Sequence, residues 1–222
     1  MSETATKTAP PLEKKTTVGN YFVSNYPPFS FWKQEDVPDY RAALGQAPKP
    51  DTQLGIYVHI PFCRKRCHFC YFRVYTDKNS EEIRNYIDAV LAELKLYAKE
   101  NFIGGRKPKF VYFGGGTPSY LSESQLRELT DGMKELLPWD EVEEVTFECE
   151  PGTLREKKLE ILREIGVTRL SLGVENFDDH ILELNGRAHR GPEIGRAYEF
   201  AQGLGFPQIN IDLIAGMVGE TE

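Results

Sequence analysis

From Leu54 onward the chain alternates between two hydrophobic rhythms. Short runs rich in β-branched and aromatic residues fall at Gly55–Ile60, Lys109–Phe113, Val142–Cys149, Thr168–Val174 and Gln208–Ile214, and each reads as a strand. Between them apolar residues recur three and four apart, the helical period. Ile83, Ile87, Val90, Leu91 and Leu94 mark a helix from Ser80 to Asn101. Further helices open at Ser122, with Gln125 three residues on, and at Thr153, with Glu156, both at capping-box spacing. Gly166 is placed to close the third helix. Pro192 sits early in a last one, which carries Ile194, Ala197, Tyr198 and Ala201 before Gly205.

Strict alternation of strand and helix calls for right-handed βαβ crossovers and a parallel α/β sheet, either open or curled into a barrel. Periodicity does not separate the two. Both gather ligands at the carboxyl ends of the strands, so that is where chemistry is expected.

Upstream of Leu54 the pattern fails. Residues 1–18 are polar and rich in Thr, Lys, Glu and Pro, which predicts a disordered tail. Residues 19–53 form an aromatic and proline-rich extension. Tyr21, Phe22, Tyr26, Phe29, Phe31 and Trp32 crowd around Pro27 and Pro28, too apolar for a linker and too irregular for a helix. It is expected to pack on the main domain, residues 54–222, either as plain surface cover or as the lining of a substrate site.

Hydrophobic residues make up 40% of the chain, but no stretch reaches the roughly 18 uninterrupted apolar residues of a membrane helix. The polar N-terminus lacks the apolar core of a secretory signal, so the chain reads as cytoplasmic. A net charge of −7 with both signs interspersed offers no basic stripe, which argues against nucleic acid as a partner. Cysteine usage changes the picture most. Cys63, Cys67 and Cys70 are packed into one short loop after the first strand, while Cys149 stands apart: a poor disulfide framework and a good metal-binding pattern.

The loop has C-x3-C-x2-C spacing. Three thiolates so spaced can hold three corners of an iron–sulfur cubane and leave the fourth iron open. A structural zinc site completed by His68 or His59, or unrelated free thiols, are the alternatives. Cys149, on a strand, reads as a small buried core residue. After the second strand comes Gly114-Gly115-Gly116-Thr117-Pro118, which lets backbone approach a ligand without Cβ interference or makes a tight turn. Acids stand at the exits of the next three strands: Glu148, Glu175 and Asp212. Unpaired charge is disfavoured within a sheet, so these carboxylates are expected to converge on something rather than to act as helix caps or surface ion pairs.

The run Tyr57-Val58-His59-Ile60-Pro61-Phe62-Cys63 through Cys70 resembles the cluster loop of the radical S-adenosylmethionine superfamily, and within it the branch of oxygen-independent coproporphyrinogen III oxidase. The likeness extends from about Leu54 to Gly219. It implies a partial (βα)6 barrel, of which about five units are present, and two cofactors, a [4Fe-4S] cluster on Cys63, Cys67 and Cys70 and S-adenosylmethionine. It further implies that Gly115, Gly116 and Thr117 meet the amino end of S-adenosylmethionine. Glu148 and Asp212 would hold its amine and ribose, with Glu175 beside the ribose or substrate. Arg187 would meet its carboxylate, and Tyr57 and Phe69 would flank the cluster and adenine.

The reaction so implied is one-electron cleavage of S-adenosylmethionine to a 5′-deoxyadenosyl radical, fed by a reductant such as flavodoxin or ferredoxin. No side chain is required as catalytic acid or base. The substrate would be a tetrapyrrole or another small molecule. Two departures separate this chain from the porphyrinogen-oxidising members: Cys70 is followed by Tyr71 and Phe72, where they have a further cysteine, and Glu175 stands where glutamine is usual. A heme chaperone with the same fold, or a radical methyltransferase using two S-adenosylmethionine molecules, therefore stands beside the oxidoreductase reading. Complete members continue into a sixth strand and a further domain, so the sequence is expected to be truncated after Glu222.

Overall fold

The computed structural model describes residues 31–221. By compactness the chain divides into a unit ending at Asp36 and a unit from Val37 to Glu222. Of the first, the described part includes the 3-10 turn Gln34–Asp36. The disordered tail expected from sequence and residues 19–30 of the aromatic extension lie outside the described residues. The second unit opens on a helix that sequence reading did not foresee, α1 (Val37–Leu44).

The rest alternates as expected, except for one short helix, α5, that sequence reading also did not foresee: β1 (Leu54–Ile60), α2 (Ser80–Tyr97), β2 (Pro108–Gly115), α3 (Glu123–Leu136), β3 (Glu144–Cys149), α4 (Glu156–Glu164), β4 (Arg169–Glu175), α5 (Asp179–Leu184), α6 (Gly191–Gly203) and β5 (Gln208–Leu213). The five strands pair in parallel, in the order β1-β2-β3-β4-β5. Strand order that follows the chain has no switch point, so right-handed crossovers keep every helix on one face. That is the winding of a barrel, and the sheet supplies five strands of a partial (βα)6 barrel.

Alternation along each strand separates the two faces. Val58, Ile60, Val111, Phe113, Val145, Phe147, Leu170, Leu172 and Val174 join the core with Ile83 and Ile87 of α2, Leu126, Leu129 and Met133 of α3, and Leu159 and Leu162 of α4. Residues between them in the strands, Tyr57, Tyr112, Glu148, Ser171, Asn210 and Asp212, turn to the other, concave face, where they meet one another.

Local chemistry explains most of the element ends. Ser122 and Gln125 form the expected reciprocal capping box on α3. Another box, Asn79 with Glu82, caps α2, which starts at Ser80 as expected and ends at Tyr97, short of the expected Asn101. Gly166, at φ +98°, terminates α4 as expected. The box expected at Thr153 is a correction. Thr153 ends a 3-10 turn, and its hydroxyl donates to Glu150 O at 2.8 Å, so α4 starts after Arg155 with no side-chain cap. Pro151 explains this, because its fixed φ favours the turn and brings Thr153 back onto Glu150. Among the described residues no helix is long and apolar enough to cross a membrane.

Candidate functional site

The cysteine loop leaves β1 and is laced to the glycine run that ends β2. Gly116 N–H donates to Ile60 O at 2.8 Å and Thr117 N–H to Phe62 O at 2.9 Å. The Thr117 hydroxyl donates to Cys63 Sγ at 3.3 Å. A Cβ on Gly116 would stand 2.9 Å from that sulfur and 3.0 Å from Phe62 O, so only glycine lets β2 pass this close. At the far side of the loop, Arg187 Nη1 donates to Cys67 Sγ at 3.1 Å.

Cys63 is buried, and Cys67 and Cys70 are part-exposed. Burial pushes the Cys63 thiol up to about 11. The Thr117 hydroxyl opposes this, the Cys70 and Cys67 sulfurs add to it, and Arg187 opposes it. The three thiols therefore share one electrostatic environment, with a hydroxyl and a guanidinium as donors to sulfur. Among the described residues no three His, Cys, Asp or Glu side chains are grouped around one metal ion. A cubane asks instead for three separate corners, and a three-thiol donor set with cationic support fits it. His68 and His59, the possible fourth zinc ligands, have Nδ1 committed elsewhere, to Leu184 O at 3.0 Å and to the Tyr57 hydroxyl at 2.9 Å. Cys149 is buried in the core behind β3, with its thiol on Phe147 O at 3.5 Å.

The acids do converge. Gly115, at φ +113°, turns its N–H onto Glu148 Oε2 at 3.1 Å, while the Tyr112 hydroxyl donates to Oε1 at 2.7 Å. Asp212 accepts from Ser171 Oγ and from Asn210 Nδ2, each at 2.7 Å. Glu175 takes the left-handed conformation, φ 68°, rare for a residue with a Cβ, where the β4–β5 register slips between Gly173 and Glu175. Burial pushes Glu148 up, Tyr112 and Gly115 hold it down, and Asp212 raises it again. Burial raises Glu175 too, with Arg187 opposing and Asp212 and Glu148 adding. Three carboxylates thus crowd one patch whose cation is Arg187.

Arg187 is nine-tenths buried, ion-paired to Glu175 at 3.6 Å and donating from Nη2 to Gly173 O. Its Nε–H is buried with no partner among the described residues, which leaves room for an acceptor such as a ligand carboxylate. Tyr57 is exposed on the concave face, with its ring 6.0 Å from that of Tyr112. Burial, then Glu148 and Tyr86, push its hydroxyl up to about 12. Phe69 is exposed on the cysteine loop itself. Sequence reasoning missed Tyr112, Ser171 and Asn210, which hold the acids. Their signal was present: Tyr112 lies two residues before Gly114, and polar residues alternate with apolar ones in β4 and β5.

A βα barrel sheet with three cysteines after its first strand and a glycine run after its second defines the class. The Radical SAM superfamily matches residues 57–222, and the chain belongs to it. Membership implies a [4Fe-4S] cluster and S-adenosylmethionine. Among curated relatives, the chain is similar to the heme chaperone HemW of Bacillus subtilis (strain 168), 40% identical over 167 residues, covering 74% of this chain and 43% of the relative. It is similar to the oxygen-independent coproporphyrinogen III oxidase of Escherichia coli (strain K12), 31% identical over 187 residues, 84% of this chain and 40% of the relative. The solved coproporphyrinogen III oxidase (HemN) from Escherichia coli superposes with a TM-score of 0.73 at 32% identity, over 85% of this chain and 42% of that one. The chain thus spans about two fifths of the length of these relatives.

Proposed function

We propose that this chain is the cofactor-binding core of a radical S-adenosylmethionine enzyme related to oxygen-independent coproporphyrinogen III oxidase, acting on a tetrapyrrole or another small molecule. The observation that carries the reading is the junction of two motifs distant in sequence, with Thr117 on Cys63 and Arg187 on Cys67. Cys63, Cys67 and Cys70 would hold the cluster. Gly115, Gly116, Thr117, Glu148, Glu175, Arg187 and Asp212 would hold S-adenosylmethionine, with Tyr57 and Phe69 beside the cluster and adenine. When bound, the two cofactors supply one-electron cleavage of a C–S bond and with it a 5′-deoxyadenosyl radical.

The chain's own residues orient and neutralise. Glu148 and Asp212 present carboxylates suited to an ammonium group and to hydroxyls, and Arg187 offers a buried guanidinium to a carboxylate. Tyr112 and Gly115 keep the Glu148 carboxylate in place. The core beneath the strands keeps water from the cysteine loop on its Cys63 side, since that thiol is buried.

The test is anaerobic. The chain is reconstituted with iron and sulfide, S-adenosylmethionine and a strong reductant are added, and 5′-deoxyadenosine is measured, with Cys67→Ala as control. Product that disappears in the variant supports the reading, and stoichiometric zinc in place of iron refutes it.

The second reading, a heme chaperone on the same core, is supported by the 40% identity to HemW and by Tyr71 and Phe72 after Cys70, where porphyrinogen oxidases have a further cysteine. A heme titration followed by absorbance separates the two. Tight stoichiometric heme binding with no product from S-adenosylmethionine favours the chaperone.

A further inference from the structure

We propose that Glu150 and His189 are positioning residues that clamp the cysteine loop through Arg64. The three come from three separate loops. Arg64 follows Cys63 in the loop after β1, Glu150 follows β3, and His189 lies between α5 and α6. Glu150 Oε1 gathers them: Arg64 Nη2 at 3.3 Å, His189 Nδ1 at 2.9 Å and the Gly152 N–H at 3.2 Å. Arg64 also donates to Ala188 O at 2.6 Å and Gly152 O at 3.4 Å, so one guanidinium spans both neighbouring loops.

The clamp is built to stay. His189 is fully buried, and its second nitrogen faces Val174 O at 3.1 Å. The main chain of Glu150 is fixed as well: its N–H donates to Ser119 Oγ at 3.0 Å, and its carbonyl accepts from Thr153. Burial alone would raise the Glu150 carboxyl. The His189 hydrogen bond, Arg64 and Arg187 outweigh it and hold the group below the ordinary carboxylate range. Glu150 Oε2 is buried with no partner among the described residues, so all three contacts fall on one oxygen and losing it removes one hydrogen bond from each partner at once.

Anchoring Arg64 fixes the residue next to Cys63, the most buried of the three loop thiols. The consequence for a cluster rests on the proposed function, but the clamp itself does not. The experiment therefore starts on the metal-free chain. Alkylation of each cysteine by iodoacetamide is followed by peptide mass spectrometry. Cys63 is expected to label more slowly than Cys67 or Cys70. Arg64→Met and Glu150→Ala are expected to speed Cys63 labelling by about tenfold or more, the effect of losing one charge-assisted hydrogen bond on local opening. Glu150→Gln, which keeps an acceptor oxygen, is expected to restore much of the protection. Lys65→Met, on the exposed neighbour, is the control and leaves the rate unchanged. Arg64 is part-exposed, so its loss keeps the fold even where Glu150→Ala does not. Unchanged Cys63 labelling in Arg64→Met, or an equal rise in Lys65→Met, overturns the proposal. Reconstitution of the same proteins separates the two ideas. Iron content and the reduced-cluster spectrum should fall in Arg64→Met if both hold, whereas zinc uptake with the labelling contrast intact refutes the cluster and leaves the clamp.

Discussion

Arg187 Nη1 lies 3.1 Å from Cys67 Sγ while Nη2 of the same guanidinium stands 3.6 Å from Glu175 Oε1. One planar side chain therefore joins the cysteine loop to the exit of β4. Arginine suits this place because its fork holds two partners at once and its charge is not lost on burial. Lysine would offer a point charge to one of them.

Removing this guanidinium leaves Glu175 buried beside Asp212 and Glu148 without its ion-pair partner. Breaking one side of a buried pair costs about 3–5 kcal/mol, whereas replacing both sides is far milder. Arg187→Leu is expected to lower the unfolding free energy read from urea titration by an amount in that range. Arg187→Leu with Glu175→Leu should recover at least half of it. Equal losses in the single and double variants would show that the pair does not hold the site.

The crowded carboxylates give stability a defined pH dependence. Glu148 and Glu175 are both raised in the folded state above the ordinary 4.5, burial being the first cause. Between the unfolded and folded values the folded chain binds more protons, so their contribution to stability falls as pH rises through that window. Glu150 is lowered and runs the other way, losing its contribution as pH falls. Comparing single variants separates the two. Glu148→Gln is expected to flatten the loss of stability above pH 4.5 in urea titrations, and Glu150→Gln to flatten the loss on the acid side.

Strand positions, helix positions and the cysteine loop were legible because each rests on local pattern, period two, period 3.6 or fixed ligand spacing. Strand order was not legible from pattern, since an open sheet and a barrel share the same alternation; the barrel was expected from the resemblance alone, and the pairing of β1 through β5 in sequence bears it out. Convergence of Glu148, Glu175 and Asp212 was legible from their places at strand exits. What holds them was less so. Tyr112 and Asn210 read as ordinary strand residues until register puts Tyr112 near Glu148 and Asn210 opposite Ser171. The Arg64–Glu150–His189 clamp joins residues up to 125 positions apart through side chains alone, and no local rhythm carries such a link. Thr153 failed as a cap because Pro151 had already committed the turn.

Gly116 tests the close passage of β2 against the cysteine loop. An added Cβ meets the Cys63 sulfur at 2.9 Å and two backbone carbonyl oxygens at 3.0 and 3.1 Å, and the two carbonyls cannot rotate away as a flexible side chain would. Overpacking of this kind costs about 1–3 kcal/mol. Gly116→Ala is expected to fall within that range by urea unfolding and to take up less than half the iron of the parent on reconstitution. Gly195→Ala, on the open face of α6, should keep both.

Tyr112 tests whether Glu148 works as a placed carboxylate or merely as a buried one. Its hydroxyl donates to Glu148 Oε1 at 2.7 Å, and its ring lies 6.0 Å from that of Tyr57, so one side chain supports two residues of the proposed S-adenosylmethionine site. Phenylalanine keeps the ring and the stacking and deletes only the donor. Burial then raises Glu148 with one hydrogen bond fewer to oppose it, and the carboxylate loses the contact that fixes its rotamer. A hydrogen bond to a charged group is worth about 1.5–3 kcal/mol, which is roughly tenfold or more in affinity. Equilibrium dialysis of S-adenosylmethionine against the reconstituted chain should therefore show Kd rising about tenfold or more in Tyr112→Phe. The loss should ease as pH is raised, because deprotonating Glu148 restores the charge that the ammonium group needs. Weakening that ignores pH would assign Tyr112 a role in shape alone, and unchanged affinity would remove Glu148 from the ligand site.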